Sequence, residues 1–154
     1  MIDPRVEMLL SHGLPDRTTK RYRNAIENSV AMTTKADSKI IDAYHLLAGL
    51  MSEGNGIAYN VMKNLGFKMD AMIEHLESIP RTPTITDMEI SHDASVAVRE
   101  SVDWMRKHGH SHLDTEHLLL ALIENELIKS FLAGCDVHSG DILHEIRGLH
   151  GLLS

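Results

Sequence analysis

Three stretches of this chain bring together residues that can do chemistry. Asp114-Thr115-Glu116-His117 opens an apolar run and puts two carboxylates, a hydroxyl and an imidazole within one helical turn. Asp114 or Thr115 can cap a helix there, Glu116 suits the positive end of the helix dipole, and His117 packs underneath as a core hydrogen-bonding residue. Just before it comes His108-x-His110-x-His112, and imidazoles are good ligands for zinc, nickel or copper. No cysteine pair or ordered carboxylate completes that set, so any metal would rest on His108, His110 and His112 in an exposed interhelical loop. The third stretch is Lys20-Arg21-Tyr22-Arg23, whose basic residues fit a solvated helix face or an acidic partner.

The remaining reactive types point away from catalysis. The single cysteine, Cys135, matches an apolar core position and is expected to be an inert buried thiol. His75, His138, His144 and His150 are scattered and expected to face solvent. No Ser/His/Asp order is credible from spacing, and no Gly-x-x-x-x-Gly-Lys-Ser/Thr run is present to cradle a nucleotide phosphate. The expectation is a protein that is not an enzyme and carries no cofactor.

The elements that must position these residues follow from a repeat. One fixed offset places Ala25 on Ala97, Ile26 on Val98, Ser29 on Ser101, Val30 on Val102, Ile41 on Leu113, Asp42 on Asp114 and His45-Leu46-Leu47 on His117-Leu118-Leu119. After a two-residue deletion beyond Glu53, Val61-Met62 meets Phe131-Leu132, Phe67 meets Val137, Met72-Ile73 meets Ile142-Leu143 and Leu76 meets Ile146. Each copy reads as four helices. The first carries a helical apolar stripe (Ala25, Ile26, Val30, Thr33; then Ala94, Ala97, Val98, Val102, Met105). The second, from Ala43 to Met51 and from Thr115 to Ile123, is apolar on most sides and belongs at the centre of its copy. A third runs near Ile57–Leu65 and Leu127–Ala133. The fourth uses Met69, Met72, Ile73 and Leu76, then Ile142, Leu143, Ile146 and Leu149. Gly66 and Gly109 supply left-handed helix ends, and Asp136 stands where Gly66 does. Trp104 is expected to seal the interface between the copies, and most methionines to pack in the core.

Composition agrees and excludes several classes. Aromatic residues are only 4% while methionine occurs nine times, which favours helices over strands. A net charge of −7 argues against a phosphate-backbone binder. One cysteine cannot form an internal disulfide, no apolar run approaches the roughly 20 residues that cross a bilayer, and the N-terminus lacks a secretory pattern. These features imply a cytoplasmic protein with neither nucleic acid nor membrane as partner. The fold is expected to be all-α, two tandem four-helix repeats with pseudo-two-fold symmetry forming one compact domain. Residues 1–17 would be an N-terminal extension, with a short helix through Val6, Met8, Leu9 and Leu10. Repeat 1 would span 18–78, a proline-rich linker 79–90, and repeat 2 91–150.

Two four-helix copies carrying Asp114-Thr115-Glu116-His117-Leu118-Leu119-Leu120-Ala121-Leu122-Ile123 resemble the Clp N-terminal repeat domain that fronts the ClpA, ClpB and ClpC AAA+ unfoldases. Asp42-Ala43-Tyr44-His45-Leu46-Leu47-Ala48-Gly49-Leu50 is similar to the same element without its Thr-Glu pair. Glu53-Gly54-Asn55-Gly56-Ile57-Ala58 and His108-Gly109-His110 resemble two further family turns. The resemblance is closest to the ClpC type and covers about residues 18 to 150. It implies a non-catalytic module that docks adaptors or protein substrates for a Clp-type ATPase. It also implies that Thr115 and Glu116 contact a ligand, with Glu116 pairing with the guanidinium of phosphoarginine in the second repeat. Ala43 and Tyr44 remove that pair from the first repeat. The alternatives are a stand-alone regulator competing for the same clients and, from another class, a histidine-loop metal-binding protein.

Overall fold

The computed structural model describes residues 15, 17–35, 40–78 and 89–150. The helix expected through Val6–Leu10 and the proline-bearing part of the linker lie outside them. Among the described residues are eight helices: α1 (Lys20–Lys35), α2 (Ala43–Glu53), α3 (Ile57–Asn64), α4 (Met69–Ser78), α5 (His92–Lys107), α6 (Thr115–Leu122), α7 (Glu126–Gly134) and α8 (Ser139–His150). They fall in the expected order, four and four, so the fold is all-α. The apolar stripes of α1 and α5 are buried, and α2 and α6 are buried on nearly every side, which makes them the two centres of one continuous core. Met51, Met62, Met72 and Met105 are buried in it and Met32 and Met69 pack against it. Ile73 and Leu149 depart from expectation: both are exposed, on the outer faces of α4 and α8.

Helix starts and stops follow from local chemistry. Asp42 and Asp114 are the N-caps of α2 and α6, and in both the third helical residue is histidine, whose Nδ1 accepts the cap residue's own N–H at 3.1 Å and 3.0 Å. This is a capping box with imidazole in the place usually taken by Glu or Gln. Helices α3, α5 and α7 end alike, with the residue two beyond the last turn donating back to the sixth: Phe67 N–H to the Met62 carbonyl, His110 to Met105, Val137 to Leu132. That turn needs a left-handed residue. Gly66 and Gly109 provide it at φ 87° and 67°, and Asp136 adopts it at φ 61°.

A short pairing that the apolar pattern does not signal joins the two sets. Strand β1 (Ile40–Ile41) runs parallel to β2 (Glu89–Ile90), with Ile41 opposite Ile90, and the Ser91 N–H donates to the Ile41 carbonyl at 2.8 Å. Thr18 pairs with Leu113, and the Thr19 N–H donates to the Leu113 carbonyl at 2.9 Å. In the repeat alignment Thr18 matches Ile90 and Ile41 matches Leu113. Each repeat's entry to its first helix therefore pairs with the other repeat's entry to its second. Glu89 and Ile90, expected within the linker, and Arg17, expected within the extension, are part of this pairing; the Leu113 N–H donates to the Arg17 carbonyl at 3.0 Å.

The repeats differ in how closely their first two helices approach. A Cβ at Gly49 would fall inside contact distance of the Ala25 carbonyl and the Ser29 side chain, so α1 and α2 meet backbone to side chain. Ala121 holds the matching place in the looser α5–α6 pair. Gly49→Ala is expected to destabilise the protein by about 1–3 kcal/mol in urea unfolding, although alanine is the better helix former. Asp136→Gly is expected to stabilise it by about 0.5–1 kcal/mol in the same measurement, by relieving a left-handed non-glycine residue.

Candidate functional site

The site at the start of α6 is built by two opposed backbone devices. The α5 terminus reverses the chain at Gly109 and sends His110 back over the helix, while the Asp114 cap turns the chain into α6. The two bring His110 and His117 together, Nδ1 to Nε2, at 2.7 Å. The protonation pattern follows from the network. His117 Nδ1 accepts the Asp114 N–H, so its proton sits on Nε2 and is donated to His110 Nδ1.

Glu116 lies beside this pair and is 2% exposed, its Oε1 3.8 Å from His117 Nδ1. Two concavities meet at it. One is a small, partly open pocket of about 20 Å³, room for a single water, walled by Trp104, Leu143 and Ile146 among others. The other is an open groove of about 400 Å³ that runs past Ile57, Ser111 and His112. His110, Glu116 and His117 line both and form the partition between them.

Thr115 has a different job. It is fully buried, its Oγ1 accepts the Ala58 N–H at 3.2 Å, and Gly56 sits so close that any Cβ there would meet its side chain. The hydroxyl thus ties the start of α3 to the start of α6 across the repeats. Asp114 adds a second tie. Thr19 Oγ1 donates to its Oδ1 at 2.9 Å and Arg21 Nη2 to its Oδ2 at 2.8 Å. That hydrogen bond, and next the charge of Asp114, holds the Arg21 guanidinium still more firmly protonated. Of the basic stretch, Arg21 has a fixed carboxylate partner, whereas Lys20 and Arg23 are exposed.

The histidine loop does not gather as a ligand set. His108 Nδ1 meets the Trp104 carbonyl at 3.0 Å, His112 Nδ1 meets Ser111 Oγ at 2.8 Å, and His110 faces His117. Among the described residues no three His, Cys, Asp or Glu side chains converge in a way that could hold a metal ion. Trp104 stacks on His108, ring centroids 4.9 Å apart, lines the small pocket in the second repeat and packs against the core. Cys135 is half-buried and burial pushes its thiol up, which lowers its nucleophilicity at neutral pH.

In the first repeat the place of Glu116 belongs to Tyr44. Its ring lies 4.4 Å from His75 and 5.9 Å from Phe131, and its hydroxyl donates to the Leu127 carbonyl at 3.4 Å. His75, expected to face solvent, is half-buried between the two rings, while His138 and His144 are exposed as expected; the His150 side chain lies outside the description. Only three-dimensional placement gathers this aromatic cluster, because its members come from both repeats. The His110–His117 contact was more accessible: a glycine helix end followed by histidine, seven residues before another, is its signal.

A family model described as the Clp repeat N-terminal domain matches residues 17–135 and again 89–149. The chain is 34% identical over 110 residues to the chaperone protein ClpB of Oceanobacillus iheyensis, which covers 70% of this chain and 14% of that protein. It is 31% identical over 113 residues to the ATP-binding subunit ClpC of the ATP-dependent Clp protease of Staphylococcus aureus, covering 71% and 14%. The chain thus spans about one seventh of the length of these curated relatives. The Hsp104 N-terminal domain of Candida albicans has the same fold, with a TM-score of 0.77 at 18% identity over 88% of this chain and 93% of that one.

Asp42 and Asp114 make a matched pair for measurement, since both cap a helix but only Asp114 also binds across the repeats. Asp114→Ala is expected to cost about 2–3 kcal/mol in urea unfolding and Asp42→Ala about 1 kcal/mol. The Arg21 contribution is the smaller part because that side chain is 49% exposed. Equal losses would refute the cross-repeat role of Asp114.

Proposed function

The chain belongs to the Clp N-terminal repeat domain family, and from that premise we propose that it is a non-catalytic protein-docking module serving a Clp-type AAA+ unfoldase. The observation that carries this reading is the family match over both repeats. The described residues support it, because the buried His45, Asp114, Thr115 and His117 cap helices or tie the repeats together. Its partners would be the ATPase or its adaptors and protein substrates, in the cytoplasm; among the described residues no helix is long and apolar enough to cross a membrane. Repeat 1 would span residues 18–78 and repeat 2 residues 91–150.

The finer reading places a ligand in the groove beside Glu116. A carboxylate facing a planar guanidinium gives a directional, charge-assisted pair, and phosphoarginine adds a phosphate for helix N-terminal amides. Tyr44 takes the matching place in repeat 1, so the stoichiometry would be one. Glu116 would act as the acceptor, and Thr115 would hold the helix start that presents it.

Calorimetry with free phosphoarginine tests the ligand. Binding at one site, weakened about tenfold or more in Glu116→Gln, is the expected result. Equal affinity in the two proteins, or no binding to either, removes the ligand site. Competition between this chain and the N-terminal domain of a Clp unfoldase for a labelled unfolded protein tests the broader reading, and failure to compete counts against it.

A further inference from the structure

One corner of repeat 1 is hollow. Met51 near the end of α2, Tyr59 and Lys63 on α3, Phe67 in the following turn and Met69 at the start of α4 surround about 90 Å³, partly open to solvent. The repeat alignment sets these five residues on Ile123, Lys129, Ala133, Val137 and Ser139. The same corner of the fold is thus built in repeat 2 from a different set, so the architecture does not require the one found here. The wall is apolar and fixed in advance. Met51 is buried, Phe67 and Met69 pack on the core, and the Phe67 ring stands edge-on to Phe131 of the other repeat, centroids 6.3 Å apart. Two polar groups complete it. Tyr59 and Lys63 are four residues apart and share one face of α3. Among the described residues neither side chain has a hydrogen-bond or ion-pair partner, whereas Arg21 has Asp114.

An apolar hollow with a cation and a hydroxyl at its edge selects an apolar group joined closely to an anion. Its size sets the apolar part: a cavity of about 150 Å³ takes a benzene ring, so about 90 Å³ suits one branched aliphatic side chain. The anion must lie within a few bonds of that side chain. In an extended segment an acidic neighbour points to the opposite face, whereas a C-terminal residue carries side chain and carboxylate on one Cα. A free amino acid would bring its own ammonium beside Lys63, a like-charge contact that the amide nitrogen of a chain end avoids. We infer that this hollow binds the C-terminal residue of a polypeptide. The aliphatic side chain sits among Met51, Phe67 and Met69, and the carboxylate accepts hydrogen bonds from the Lys63 ammonium and the Tyr59 hydroxyl. This extends the docking reading above to a second site, and its test stands apart because neither Glu116 nor phosphoarginine enters it.

Two methionines in the wall make the site visible, and Met105 of repeat 2 is a control outside it. The probe is an N-acetylated tripeptide ending in leucine with a free carboxylate, titrated into the whole chain while the methionine methyl resonances are followed by NMR. Saturable shifts at Met51 and Met69, with Met105 unmoved, are the expected result. Affinity is expected to fall about tenfold or more when the peptide is amidated at its C-terminus or when Lys63→Gln replaces the wild type. Tyr59→Phe is expected to weaken binding about threefold, and Lys63→Arg to retain it. No shift at Met51 and Met69 by about 20 mM peptide would overturn the site. Equal affinity for acid and amide, or an unchanged affinity in Lys63→Gln, would do the same. Shifts at Met105 in parallel would mean unspecific association, and free leucine binding as tightly as the peptide would assign the hollow to a small molecule; either result ends the chain-terminus reading.

Discussion

Two backbone pairings hold the architecture, and they are reciprocal. Residues leading into α1 bond to those leading into α6, and residues leading into α5 bond to those leading into α2. Neither four-helix set satisfies its own entry segments, so each depends on the other for the backbone hydrogen bonds that aim its buried central helix. Side chains reinforce the arrangement. Tyr22 from the first set bonds to Ser101 of the second at 2.8 Å with no exposure to solvent, and burial pushes the Tyr22 phenol up, so it remains a neutral donor and acceptor. Burying those polar atoms costs free energy unless the two sets stay in register, so register and core formation are one event.

Histidine in the capping boxes connects this frame to the site. A glutamate in that position would close the helix start and nothing more. Imidazole has a second nitrogen on the far side of the ring, and in the second repeat that nitrogen reaches the preceding loop. A residue that is structural at one edge is thereby exposed to chemistry at the other.

Much of this was legible in the sequence because it rests on local rules. Apolar spacing located the helices, and the matched Asp42 and Asp114 marked their starts. The alignment of Gly66 with Asp136 located a left-handed residue that few non-glycines adopt. What was not legible depends on neighbours brought in by the fold. A strand of two residues has no period to detect, and Glu89-Ile90 follows a proline-rich stretch. Ile73 and Leu149 satisfy a helical apolar pattern yet lie one step outside the buried arc. Glu116 has the composition of an exposed helix start, but the returning loop and α8 close over it.

The exchanged pairings obey the rule of an isologous contact, in which one residue meets a second and the equivalent of the second meets the equivalent of the first. A symmetric homodimer of a single four-helix unit would make one such pairing twice. Joined in one chain, the halves no longer answer to a common sequence, so each position can diverge while its counterpart is retained. Tyr44 opposite Glu116, and Gly49 opposite Ala121, are such positions: the matched places of the two halves carry different side chains on a single frame.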